Sequence, residues 1–207
     1  MAASDHLIRT EEQLQALYGA KNPNSITKEI DHINGGYRKL IEAAPFVAVA
    51  TCGPEGLDCS PKGDPAGFVR ILDDKTIAIP DRPGNNRLDG FRNVVRDPRV
   101  ALLFLIPGVG ETLRINGRAD ISIDPELMQS FAINGKLPRC VLIVHIESIY
   151  FHCSKAIVRS KLWDEATKID RKSLPSTGTI VAELSGGKAG GEEYDRAAPE
   201  RIKAQLY

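Results

Sequence analysis

The chain has 207 residues, 42% of them apolar and 26% charged, and its 27 basic and 27 acidic side chains cancel. Such a balance leaves no electrostatic footprint for DNA or RNA, so any anion site must be local. The longest apolar stretch, residues 100–106, is too short to span a bilayer, and the start M-A-A-S-D-H has no basic region followed by a hydrophobic run, so neither a membrane partner nor a secretory leader is expected.

Four cysteines, Cys52, Cys59, Cys140 and Cys153, are widely spaced with no C-x-x-C pair. They read as reduced thiols in a cytoplasmic protein, with no metal site expected.

Thr10 followed by Gln13 has capping-box spacing and predicts a brief helix ending at Gly19. Ile26, Ile30, Ile33, Tyr37, Leu40 and Ile41 recur at helical spacing and predict a second helix over 27–43, with a break possible at Gly35-Gly36. From Phe46 the period becomes two. Strands are predicted at 46–52, 57–61, 68–72, 76–80, 99–106, 111–123 and 140–151. The fifth, R-V-A-L-L-F-L-I, is apolar enough to be buried on both faces. Asp124-Pro125 starts a short helix, and a further one is expected over 155–163. Residues 177–191 are loaded with Gly, Ser and Thr, and S-G-G-K-A-G-G reads as a flexible linker; the stretch from Glu192 reads as helical, interrupted at Pro199. Seven antiparallel strands with one helix after the fourth predict a mainly β fold, a closed or partly closed barrel with helical additions. The domain division expected is a helical segment at 1–44, a barrel at 45–165 and a partly helical tail at 166–207.

Chemistry concentrates between the fourth and fifth strands. Arg82, Arg87 and Arg92 flank the start of a helix predicted over 86–96, where free N–H groups and the helix dipole favour a phosphate. A solvated helix face explains the same residues equally well. In S-P-K-G-D-P-A-G-F, Lys62 can join Arg87 on one anion, although Gly and Pro there can simply shape a turn. Alternation in E-T-L-R-I-N-G-R-A sends Leu113 and Ile115 inward and leaves Thr112, Arg114 and Asn116 on the other face, for a planar ligand or for water. Lys155 and Arg159 share a helix face; Trp163 can stack on a ring or fill the core; His145 reads as a satisfied strand histidine. His152 and Cys153 point to opposite faces, so they do not make a nucleophile pair. No G-x-S-x-G, H-E-x-x-H or Walker-type loop is present, so no catalytic residue is assigned.

In combination, P-F-V-A-V-A-T at 45–51, the 60–68 segment, I-A-I-P-D-R-P-G-N-N-R-L at 77–88, the 97–108 and 111–119 segments and H-C-S-K-A at 152–156 resemble the pyridoxamine 5′-phosphate oxidase-like family of FMN-binding split barrels. The resemblance implies a homodimer with two FMN sites at the subunit interface. It places the flavin phosphate on Ile79, Pro80, Asn86 and Arg87, further flavin contacts on Ser60, Lys62, Gly63 and Asp64, and a contribution from the partner subunit at Thr112. Arg114 and Lys155 are weaker candidates for the same ligand. The activity implied is an FMN-dependent oxidoreductase acting on a small-molecule substrate, with NAD(P)H as a possible donor. The tail lacks the Trp-Gly and the Arg-rich substrate motif of true pyridoxamine phosphate oxidases, so oxidation of a vitamin B6 phosphate is not implied. Rival readings are a non-catalytic flavin store or redox sensor, and a split barrel that binds haem or no cofactor, with its tail acting in protein contacts.

Overall fold

Helix α1 (Glu11–Tyr18) starts where the sequence predicts. Thr10 Oγ1 accepts from the Gln13 amide while the Gln13 side chain accepts from the Thr10 amide, each at 3.3 Å. The computed structural model describes residues 6–207; residues 1–5, most of the stretch read for a leader, lie outside them. The single helix expected over 27–43 is instead two, α2 (Pro23–Thr27) and α3 (Gly35–Ala43). Asn34 Oδ1 accepts from the Tyr37 amide at 2.8 Å and opens α3 there, so Gly35 and Gly36 fall in its first turn and not in a helix interior. Between the two helices Ile30 exchanges backbone hydrogen bonds with Ile149. Tyr37 and Ile41 carry α3 into the core.

Seven strands follow: β1 (Phe46–Gly53), β2 (Gly56–Gly63), β3 (Arg70–Ile71), β4 (Thr76–Pro80), β5 (Arg99–Leu105), β6 (Thr112–Ser122) and β7 (Val141–His152). They form one antiparallel sheet in the order β2-β1-β5-β6-β7-β4-β3. With its helices this is the split-barrel architecture expected. Alternate residues of β1, β5, β6 and β7 make the core, among them Val47, Leu102, Phe104, Leu113, Ile115, Val144 and Ile149. Strand β5 is not buried on both faces. Val100, Leu102 and Phe104 point inward, but Leu103 is 38% exposed and Ala101 and Leu105 are half-buried. Only two residues of the 68–72 segment pair as β3.

The β6–β7 ladder carries an irregularity between Asn116 and Gly117, where the paired partner jumps from Ser148 to Ile146. A Cβ on Gly117 would lie 2.0 Å from the His145 carbonyl oxygen, so only glycine lets the two backbones approach this closely.

Helix α4 (Asp89–Arg96) lies between β4 and β5, and α5 (Pro125–Ser130) is capped by Asp124. Helix α6 (Lys155–Ser160) stops earlier than expected because Lys161 turns left-handed (φ 51°). Trp163, beyond it, donates its indole N–H to the Val109 carbonyl at 2.8 Å. The first part of the 177–191 stretch forms α7 (Thr177–Leu184), capped by Ser176. S-G-G-K-A-G-G is not a flexible linker but the turn after that helix, closed by the Gly187 amide on the Ala182 carbonyl (2.8 Å). Helix α8 (Gly191–Arg196) packs back on α7, with Asp195 accepting from the Gly178 amide at 2.7 Å. In α9 (Ala198–Gln205), Pro199 sits in the first turn, where its missing N–H costs nothing. Among the described residues no helix is long and apolar enough to cross a membrane.

Candidate functional site

The barrel splits where the edge strand β2 faces the loop after β4. Ser60 and Lys62 pair with Val49 and Val47, so their side chains share the inward face and emerge at the opening. Opposite, the 81–88 loop is tied to β7 at its start: the Asp81 amide donates to the Cys140 carbonyl (2.9 Å) and the Arg139 amide to the Asp81 carbonyl (3.0 Å). Further along, Asn85 Oδ1 accepts from the Arg87 amide at 2.9 Å, and Asn86 turns left-handed (φ 58°), a conformation Asn tolerates better than most residues. That turn delays the helix. It begins at Asp89 and not at residue 86, so Arg87 lies in the loop before the helix.

Helix α4 is fixed from behind. The buried Asn93 donates to Thr51 Oγ1 (3.2 Å) and to the Gly56 carbonyl (3.3 Å), and Gly53 leaves the space it occupies: a Cβ there would meet Asn93 Oδ1 at 2.2 Å.

The result is an open cleft of about 460 Å³ between β2, the loop and α4. Of the residues singled out in the sequence, Ser60, Lys62, Gly63, Pro80, Asn86 and Arg87 line it together. Lys62 and Arg87 also share a smaller adjoining hollow. Asp64 and Ile79 do not reach the cleft: Ile79 is in the core, and the Asp64 carboxylate, 2% exposed, is occupied by Arg82 Nε at 2.7 Å. Thr112 and Arg114 lie on the outward face of β6, where Arg114 donates to Asn116 Oδ1 at 3.1 Å; Lys155 begins α6. None of these three lines the cleft.

The expected gathering of three arginines at one helix mouth is also corrected. Arg82 turns to Asp64 and to the Phe131 carbonyl (2.9 Å), and Arg92 reaches, among the described residues, only Asp89, at 3.5 Å. The Arg82 partners are remote in sequence, whereas Asp89 lies one helical turn from Arg92. Residues not singled out complete the wall. Asp81 pairs with Lys62 Nζ at 2.6 Å, the Phe91 ring centroid is 4.9 Å from that ammonium, and Arg139 makes no ion pair among the described residues. Arg139 lies just before β7, the strand that pairs with β4, and no local signal in the sequence points to it.

The electrostatics decide which cation can take a ligand. Arg87 pairs with Asp89, but its side chain is 78% exposed. An exposed pair of that kind is weak, so an anion can take the guanidinium at small cost. Lys62 is more enclosed and is shared with Asp81, so it adds positive field with less freedom. Arg87 and Arg139, the latter with no ion pair among the described residues, are therefore the cleft cations with most freedom to meet a ligand, and Lys62 is held closer to the wall.

Cys140 lies beside this wall, half-buried, and desolvation pushes its thiol up to about 11. Because the thiolate is the reactive form, Cys140 should be alkylated by iodoacetamide at least about tenfold more slowly than free cysteine at pH 8. Peptide mapping of the labelled protein checks this, and free-thiol rates at Cys140 would refute it. Elsewhere His145 Nε2 lies 3.1 Å from Asp120, as a satisfied strand histidine, and burial together with Lys28 and Arg114 lowers the pKa of His152. Among the described residues no group of three metal-ligating side chains occurs.

Residues 33–153 match the pyridoxamine 5′-phosphate oxidase family, and the chain belongs to that family. Among solved structures it is similar to HupZ from Group A Streptococcus, with 21% identity and a TM-score of 0.48 over 59% of this chain and 95% of that one. It is also similar to an F420 reductase (20% identity, 58% and 98% covered, TM-score 0.42). A third is an FMN-binding protein from Syntrophomonas wolfei subsp. wolfei (13% identity, 68% and 95% covered, TM-score 0.42). No curated protein matches the chain.

Proposed function

We propose that this chain is a cytoplasmic, homodimeric, FMN-dependent oxidoreductase acting on a small substrate, with NAD(P)H as electron donor. The observation that carries the reading is that Lys62 and Arg87, from segments far apart in sequence, line one cleft at the barrel opening. The residues present suit an FMN: cations for a phosphate at one side, and Phe68, Pro80, Leu88 and Phe91 as apolar wall for a ring. In this reading Arg87 grips the phosphate through its planar fork, Lys62 neutralises it, and the Asn85–Asn86 turn aims the arginine. When bound, the flavin supplies the redox chemistry, and the chain supplies position and electrostatics.

The outward face of β1 and β5 supports the dimer. Ala48, Ala50, Ala101 and Leu103 form cross-strand pairs there, small and apolar, and β6 continues the face through Arg114 opposite Leu103. A second copy packed on it would bring Thr112 and Arg114, which do not line their own cleft, to a site on the other subunit.

Loading the protein with FMN and adding NADH or NADPH without oxygen tests the oxidoreductase reading. Loss of flavin absorbance is the expected result. Absorbance that survives both donors would leave a flavin store or sensor in its place.

A further inference from the structure

The last described segment makes a contact that the cleft chemistry does not use. The Tyr207 hydroxyl donates to Asp64 Oδ1, while Arg82 Nε donates to Oδ2 of the same carboxylate at 2.7 Å. The Arg82 guanidinium carbon lies 5.7 Å from the Tyr207 ring centroid, and Lys136 donates to the Tyr207 backbone oxygen. Asp64 is nearly fully buried, and a buried carboxylate is stable only when both oxygens have partners. Tyr207 therefore completes a set that folding of the barrel alone leaves open.

Its placement connects it to the cleft. Ile202, Leu206 and Tyr207 cover a second hollow of about 270 Å³ whose other wall is Gly63, Asp64, Arg82 and Pro83. Gly63, Arg82 and Pro83 also line the large cleft, so the same loop residues have the cleft on one side and the tail on the other. Meanwhile the tail is lightly held, for Ile202 and Leu206 remain more than half exposed. A segment with few buried apolar contacts opens more readily than the barrel it rests on.

We propose that residues 202–207 are a strap, latched by Tyr207 on the Asp64–Arg82 pair, that holds the 81–88 loop in its cleft-forming position. Tyr207 is a positioning residue: it acts through Arg82 and Asp64 and does not touch the ligand. The raised pKa of its hydroxyl, caused first by the hydrogen bond to Asp64, agrees with a proton held on the tyrosine. The strap does not depend on the identity of the ligand.

Hydrogen exchange of the full-length, ligand-free protein tests it. In Tyr207→Phe, which keeps the ring and removes the hydroxyl, the amides of residues 82–88 should exchange about tenfold faster while those of β5 and β6 stay unchanged. Tyr207→Ala, which removes the ring as well, should show at least as large an effect. Unchanged loop exchange in both variants overturns the proposal, and so does a uniform acceleration across the barrel, which would mean general destabilisation. With FMN added, Tyr207→Phe should release flavin faster than the natural chain. If the natural chain takes no flavin at all, the flavin reading falls and the strap is still judged by exchange.

Discussion

Replacing Gly117 by alanine lowers the stability of the protein by about 3 kcal/mol, read as a drop in the midpoint of urea unfolding. The added Cβ would sit 2.0 Å from the His145 carbonyl oxygen and 3.3 Å from the Ile146 Cα. Both are backbone atoms, so no rotamer change relieves the clash. Relief requires β6 and β7, the most extensively paired strands of the barrel, to separate at their irregularity. Gly35→Ala is the matched control. It falls in the first turn of α3, with nothing within 4 Å of the new Cβ. It should leave stability unchanged or raise it by roughly 0.4–1 kcal/mol through the unfolded chain. Equal midpoints for Gly117→Ala and the natural chain would show that the two backbones are not packed as described.

Removing the Arg87 side chain weakens FMN binding by about 10- to 100-fold and leaves riboflavin binding unchanged, because the charge-assisted hydrogen bonds to the phosphate are lost and riboflavin has no phosphate. Arg87 is a cleft cation that can be drawn off readily, since its carboxylate partner among the described residues, Asp89, holds it in an exposed pair. The Arg87→Ala fold should be intact, because that side chain is mostly in solvent. Arg92→Ala is the control: its guanidinium reaches Asp89, at 3.5 Å, and does not line the cleft, so FMN affinity should stay within about twofold. Flavin titrations of the two variants separate a specific grip from a general loss of positive charge. Similar losses in both would dissolve the distinction.

The parts of the fold legible in the sequence were those set by local chemistry or by period. The Thr10–Gln13 box, the Asp124 cap and the alternation that buries Leu113 and Ile115 each act within a few residues. What could not be read were long-range choices. Arg82 looked free because its partner, Asp64, lies 18 residues back and meets it only when β2 and β4 come to the same opening. Arg139 escaped notice because its place beside Asp81 follows from the β4–β7 ladder, not from any neighbour in sequence. The tail was misread for a related reason. Its Gly and Ser content suggests looseness, yet Gly178 is there so that Gly191 and Asp195 can approach, with a Cβ forbidden at 2.3 Å from the Gly191 carbonyl oxygen. The left-handed Asn86 is a local feature that helical periodicity conceals, and it moved the helix start by three residues.

The central claim is that the opening between β2 and the 81–88 loop holds a flavin by its phosphate. Titrating the ligand-free protein with FMN and, separately, with riboflavin addresses it directly. The account predicts saturable binding of one FMN per chain, on the order of 100-fold tighter than riboflavin. Riboflavin bound as tightly as FMN, or no saturable binding of either, would contradict it.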